Sequence, residues 1–214
     1  VVGVDVMRAT TTAVTIAWTG RRCLPVSSQA EAHDVATRLE DPLLVGEWGG
    51  DLPEGFHLQN SPAAMEVRND LERPAVLLST SGTRLLRAAA SADAVYAASL
   101  RNVRAQVAHL AEHHPQVAVI GAGTKGEFRR EDQFGCARIA AGLLEAGYTA
   151  GNGGTMEIVE RWRDEPVEAC AGGRSADYLR RTGQLEDLDF VLTRVDDVPA
   201  VFRLEEGELR RVGR

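Results

Sequence analysis

The sequence predicts an α/β fold: a mostly parallel sheet with helices on both faces, followed by a smaller α+β C-terminal part. Three observations predict it. Short apolar, often β-branched runs alternate with helical segments from residue 1 to about residue 145. The helical segments carry start and stop signals at their ends. Beyond Gly151 an NGGT run marks the point where the alternation weakens.

Residues 1–6 (VVGVDV) are short and apolar, as a buried strand requires. Residues 10–18 read as a helix that Gly20 stops. Residues 23–26 form a second strand. Ser28 and Glu31 then make an S-x-x-E capping box for a helix running to about residue 39. A third strand covers 43–45. Residues 46–61 are aperiodic and rich in glycine, and loops of this length in compact domains are usually functional or mobile. Ser61-Pro62 opens a short helix, serine as cap and proline in the first turn.

The pattern continues with a strand at 75–78, the loop STSG and a helix at 83–90. A strand at 94–98 precedes a helix at 101–113. A strand at 117–120, a glycine-bearing loop at 121–130 and a helix at 131–145 follow. Further on, 156–163 and 175–181 read as helices and 190–193 as a strand. The alternation over 200–212 about Glu206-Gly207 reads as a terminal hairpin. The chain thus divides into a main α/β part over 1–150 and a smaller part over 151–214, which can pack on the first as one unit.

With 214 residues, 44% hydrophobic and 26% charged, the chain can bury a sizeable core. Its net charge of −7 and lack of a basic stripe argue against a nucleic-acid partner. An acidic chain that handles an anion must gather positive charge or backbone N–H groups at one place. Cys23, Cys136 and Cys170 form no CxxC pair, and their odd number suggests reduced thiols and a cytoplasmic setting. No run approaches the roughly 18 apolar residues of a membrane span, and VVGVDV does not read as a charged leader. No membrane partner is expected.

Four loops at strand ends carry polar residues that connectors do not need, in the place where open parallel sheets bind ligands. In DVMRATTT, Asp5 closes a strand, and Arg8 and three threonines (10–12) lead into a helix. Free N–H groups, an arginine and hydroxyls together suit an anion. Asp5 would repel a phosphate there unless a metal ion lay between them. An Asp–Arg ion pair with a threonine cap explains the same residues equally well.

In GEWGGDLPEGFHLQNSP, Glu47 ends a strand as Asp5 does, and Gly49, Gly50 and Gly55 allow close backbone approach. A plain Ω-loop is the rival explanation, and loop composition by itself slightly favours it. In STSGTR, four hydroxyls (Ser79, Thr80, Ser81, Thr83) surround Gly82, with Arg84 behind. Helix capping needs only one or two of them, so a phosphate cradle is favoured, although the Walker pattern is absent.

In GAGTKGEFRREDQFGC, Lys125 and Arg129 add positive charge and Glu127, Glu131 and Asp132 add carboxylates. Glu131 and Asp132 fall in a first helical turn, which by itself explains them. No histidine is placed to activate Cys136. The five histidines form no HExxH motif, and no GxSxG elbow exists. Gly121, Gly123 and Gly126 fit G-x-G-x-x-G, but the acidic residue a dinucleotide site wants is not at a strand end.

Taken in this order, the four segments resemble the 2-phosphosulfolactate phosphatase family of coenzyme M biosynthesis. A fainter tail (Gly173-Arg174, Leu179, Gly183, Val198-Pro199) extends the resemblance over nearly the whole chain. It implies an α/β fold with its site in a cleft. It also implies an Mg2+-dependent phosphatase that splits 2-phosphosulfolactate into sulfolactate and phosphate. It marks Asp5, Arg8, Glu47, Asn60, Thr83, Arg84, Glu127 and Asp132 as the functional set.

Roles within that set are our own reading. Asp5, Glu47 and Asp132 hold Mg2+. Arg8, Thr10, Asn60 and the stretch Ser79, Thr80, Ser81, Gly82, Thr83, Arg84 hold the phosphoryl group. Asp5, Arg8, Glu47 and Glu127 carry the chemistry, with either Glu127 positioning a water or Asp5 attacking directly.

The chain departs from the family pattern at four places. Trp48 stands for an arginine, His57 for an aspartate, Gln59 for a glycine and Ser81 for an asparagine. Losing an arginine removes a bidentate anion contact. That motivates a second reading, a non-catalytic anion-binding protein on the same scaffold. A dinucleotide-dependent reductase is a third. The expected partner is a small anionic phosphoester, and a homo-oligomer stays open.

Overall fold

The computed structural model describes residues 1–124 and 126–213; Lys125, counted above among the positive charges, lies outside them. In the first half run β1 (Val2–Val4), α1 (Ala9–Trp18), β2 (Cys23–Val26), α2 (Gln29–Ala36), β3 (Leu43–Gly46), α3 (Pro62–Glu66), β4 (Ala75–Leu78) and α4 (Gly82–Ala88). Then follow β5 (Tyr96–Ala98), α5 (Val103–His113), β6 (Val119–Gly121) and α6 (Arg130–Glu145). The remainder holds α7 (Gly153–Trp162), α8 (Arg174–Arg181), α9 (Leu185–Thr193), β7 (Phe202–Glu205) and β8 (Glu208–Arg211).

One sheet contains all these strands, in the order β3-β4-β2-β8-β7-β5-β1-β6. β3, β4 and β2 pair in parallel, and so do β5, β1 and β6. The C-terminal hairpin β7–β8 lies between these triplets and pairs antiparallel with both. Its turn is Glu206-Gly207, both at positive φ, as a tight two-residue hairpin requires.

Strand alternation puts helices on both faces. On β4, Ala75 and Leu77 join Ala13, Val14 and Ile16 of α1, while Val76 and Leu78 join Ala32 of α2. At β5, Ala97 and the preceding Val95 face the α1 cluster, whereas Tyr96 and Ala98 pack with Leu110 of α5 and Phe134 and Ile139 of α6. This is the α/β arrangement predicted, with an antiparallel hairpin at its centre.

The hairpin reverses strand direction between the triplets, which in a flat sheet would send their carboxyl ends to opposite edges. Five steps separate β4 from β1. A twist of about 20–25° per step accumulates to roughly 100–125°. The sheet curls, and the two ends converge. The clearest sign is Gly82, at the start of α4, whose missing Cβ would collide with the Asp5 carboxylate and the Ala9 methyl group.

Residues 190–193 are not a strand but the end of α9. Glu186 and Asp187 in the first turn favour a helix start, and Leu188 and Val191 bury one face. A four-residue apolar run does not distinguish a strand from a buried helix segment. Among the described residues no helix is long and apolar enough to cross a membrane.

Candidate active site

The four polar loops meet at one cleft of about 510 Å³, and α8 completes its lining. Asp5 stands at the end of β1 with its carboxylate accepting the Ala9 N–H at 3.1 Å. Thr10 locks it from behind: its hydroxyl accepts the Asp5 N–H at 2.8 Å and donates to the Asp5 carbonyl at 2.9 Å. Thr10 is fully buried and is not among the cleft's lining residues. Asp132, in the first turn of α6, accepts from the N–H of Val6 at 2.9 Å and of Gly123 at 3.0 Å. It therefore staples the β1 loop to the β6 loop. The Gly123 N–H that a dinucleotide phosphate would use is spent on this bond.

Asp5, Glu131 and Asp132 line the cleft together, each less than a tenth exposed. Burial pushes Asp5 up to about 7; the Glu47 and Glu131 charges add to this, against the Ala9 N–H and Arg8. Burial, then the charges of Asp5 and Glu131, hold Asp132 well above its ordinary value despite its two N–H donors. Glu131 is raised as well, by burial first, and its Oε2 is buried without a hydrogen-bond partner.

Arg8 is buried and lines the same cleft. One guanidinium nitrogen pairs with Asp187 and Gln184 at the start of α9. Asp187 also accepts from the Ser61 hydroxyl at 2.6 Å and the Ala63 N–H at 3.2 Å, tying α9 to α3. Glu47 accepts the Thr80 N–H (2.7 Å), the Thr80 hydroxyl (2.7 Å) and the Gly50 N–H (2.8 Å). It braces two loops and leaves one lone pair on Oε1. Asn60 is buried in the cleft wall with Oδ1 unpartnered.

The STSGTR stretch divides. Thr80 and Ser81 line the cleft. Ser79 and Thr83 cap each other behind it, N–H to hydroxyl in both directions at 2.8 and 3.0 Å. Gly82 abuts Asp5, and Arg84 is exposed outside the cleft. Glu127 lines the cleft but is exposed and paired with Arg174 and Arg129. The α8 contributors (Arg174, Ser175, Tyr178 and Arg181) were not in the set read from the sequence, nor were Asp187 and Gln184. The sequence signal near them was the faint tail at Gly173-Arg174, Leu179 and Gly183.

A family model described as 2-phosphosulpholactate phosphatase matches residues 1–207. The chain belongs to this family. A probable 2-phosphosulfolactate phosphatase of Symbiobacterium thermophilum is 38% identical over 86% of this chain and 74% of its own. Proteins of the same name from Deinococcus radiodurans and Synechococcus sp. RCC307 are 34% and 31% identical, over 92% and 95% of this chain and 89% and 91% of theirs.

Of the positions the family resemblance marks, Asp5, Arg8, Glu47, Asn60, Glu127 and Asp132 line the cleft, and Thr83 and Arg84 do not. Three of the departures from the family pattern fall outside it too. Trp48 does not line it, the His57 ring accepts the Leu44 N–H at 3.0 Å, and Gln59 donates to the Gly50 carbonyl at 3.3 Å. Only Ser81, the fourth departure, faces the cleft.

Among the described residues no group of three or more His, Cys, Asp or Glu side chains forms a ready metal cage. Mg2+ does not require one. It commonly binds through one or two carboxylates, waters and substrate phosphate. Buried Asp5 and Asp132, both with raised proton affinity, fit such a partial donor set, and a divalent cation between them would offset their mutual repulsion and that of neighbouring Glu131.

Proposed function

We propose that this chain is an Mg2+-dependent phosphatase hydrolysing 2-phosphosulfolactate, or a closely related small anionic phosphoester, to phosphate and the free hydroxy acid. The observation that carries this reading is the convergence of buried Asp5 and Asp132 with Arg8 in one cleft. The names of the relatives supply the substrate.

Asp5 and Asp132 would hold the ion, with the spare Oε1 lone pair of Glu47 as a further donor. When bound, Mg2+ supplies positive charge at the phosphoryl oxygens. Arg8 stabilises the charge that develops on those oxygens through the donors that Asp187 and Gln184 leave unused. The Ser81 hydroxyl, which makes no capping bond, and the Asn60 side chain orient the phosphoryl group.

Asp187 fixes the guanidinium so that no reorientation is needed during reaction. The attacking oxygen comes from water or from Asp5 itself; acid-trapping a phosphoenzyme identifies the second route. The test of the reading is phosphate release from 2-phosphosulfolactate and from phospholactate, with and without chelator. Binding of these anions without phosphate release from either would support the non-catalytic reading instead.

A further inference from the structure

We propose that Arg129 and Arg174 form a second anion subsite of this cleft, which takes the sulfonate of the substrate and which Glu127 fills in its absence. The inference rests on the reading of the cleft as a phosphoester site. Its first support is an unused donor. The Arg129 side chain is only 16% exposed, and its Nε is buried with no acceptor. Its NH1 lies 3.8 Å from Glu127 Oε2, beyond hydrogen-bond range. Arg174 NH1 lies 2.5 Å from the same oxygen. One carboxylate oxygen thus serves two guanidinium groups, and all three side chains line the cleft.

The second support is cheap displacement. Glu127 and Arg174 are 58% and 75% exposed, and water screens an exposed ion pair of this kind so that it is weak. A sulfonate offers three acceptor oxygens where Glu127 presents one to both arginines. It can satisfy the buried Nε of Arg129 and reach Arg174 together, in the bidentate manner guanidinium favours.

The third support is direction. The wall made by Asp5, Glu131 and Asp132 repels any anion not matched by a cation. Arg8 and Ser81 enter from the β1 and β4 loops, whereas Arg129 and Arg174 enter from the β6 loop and α8. A substrate with a phosphate and a sulfonate therefore meets cationic side chains from different elements of the lining, Arg181 of α8 among them.

The test is titration calorimetry of the full chain, in Mg2+, with sulfolactate and with lactate, which lacks the sulfonate. Wild type, Arg129→Gln, Arg174→Gln and Glu127→Gln are compared. Wild type is expected to prefer sulfolactate. Arg129→Gln should lower that preference at least tenfold, and Arg174→Gln severalfold. Glu127→Gln, a change at an exposed position, should raise it severalfold. Unchanged preferences in Arg129→Gln and Glu127→Gln, or equal shifts for lactate, would overturn the proposal.

Calorimetry needs no turnover, so the two readings fail separately. Expected shifts without phosphate release from 2-phosphosulfolactate would retain the subsite and remove the phosphatase. Phosphate release with unmoved preferences would do the reverse.

Discussion

Asp5 is buried against other carboxylates at the end of an apolar strand, and its proton affinity records the conflict. Its folded pKa of about 7 lies above its ordinary 3.8, so the fold holds its proton more tightly than the unfolded chain does. Its contribution to stability is therefore fully present below the lower value and is lost as pH rises through the upper one. Asp5→Asn removes the charge and keeps an acceptor for the Ala9 N–H. In chelator at about pH 8, we expect Asp5→Asn to be more stable than wild type by about 1–3 kcal/mol. The gap should close towards about pH 4, as read from urea midpoints across that range. A constant gap across the range would contradict the account. Asp5, Arg8 and Glu47 were legible in the sequence because each sits at a strand end or just beyond one. Asp187 was not, since a carboxylate in the first turn of an amphipathic helix looks like any dipole-satisfying residue. Its partner Arg8 lies 179 positions away in the chain.

Among the elements, α9 shows how a distant segment holds the site. Asp187 is 4% exposed and neutralises a buried arginine while tying down the start of α3. Asp187→Ala should cost about 3–5 kcal/mol, because it strands a buried guanidinium. A thermal melt of the variant, with Asp177→Ala at an exposed position of α8 as control, checks this; a loss no larger than the control's would contradict it. Capped elements were well read. Ser28 and Ser61 accept from Glu31 N and Ala64 N as their sequence contexts predict, but the capping box is half formed, since the Glu31 carboxylate accepts from Ser27 and not from the Ser28 N–H. The 190–193 segment was misread because apolar runs of four residues carry no period.

For the molecule as a whole, the decisive feature is the hairpin at the centre of the sheet. It was visible in the sequence as alternation about Glu206-Gly207, but its position between the two parallel triplets was not. Strand order depends on contacts far apart in sequence, such as Cys23 opposite Leu209 and Ala97 opposite Phe202. Without β7 and β8, β2 and β5 become open edges, and the buried Phe202 and Leu209 are lost from the core. A chain ending after Ala200 should lose cooperative thermal unfolding, and retention of a wild-type transition would contradict the role given to the hairpin. The curl that the hairpin permits is what brings Asp5 against Gly82 and makes one cleft of four loops.

The measurement that tests this cleft most directly is phosphate release from 2-phosphosulfolactate by the wild-type chain in Mg2+, in chelator, and by Asp5→Asn in Mg2+. We predict release in the first case, loss in chelator that added Mg2+ restores, and a loss of at least about 100-fold in Asp5→Asn. Release that persists in chelator, or in Asp5→Asn at the wild-type rate, would contradict the assignment.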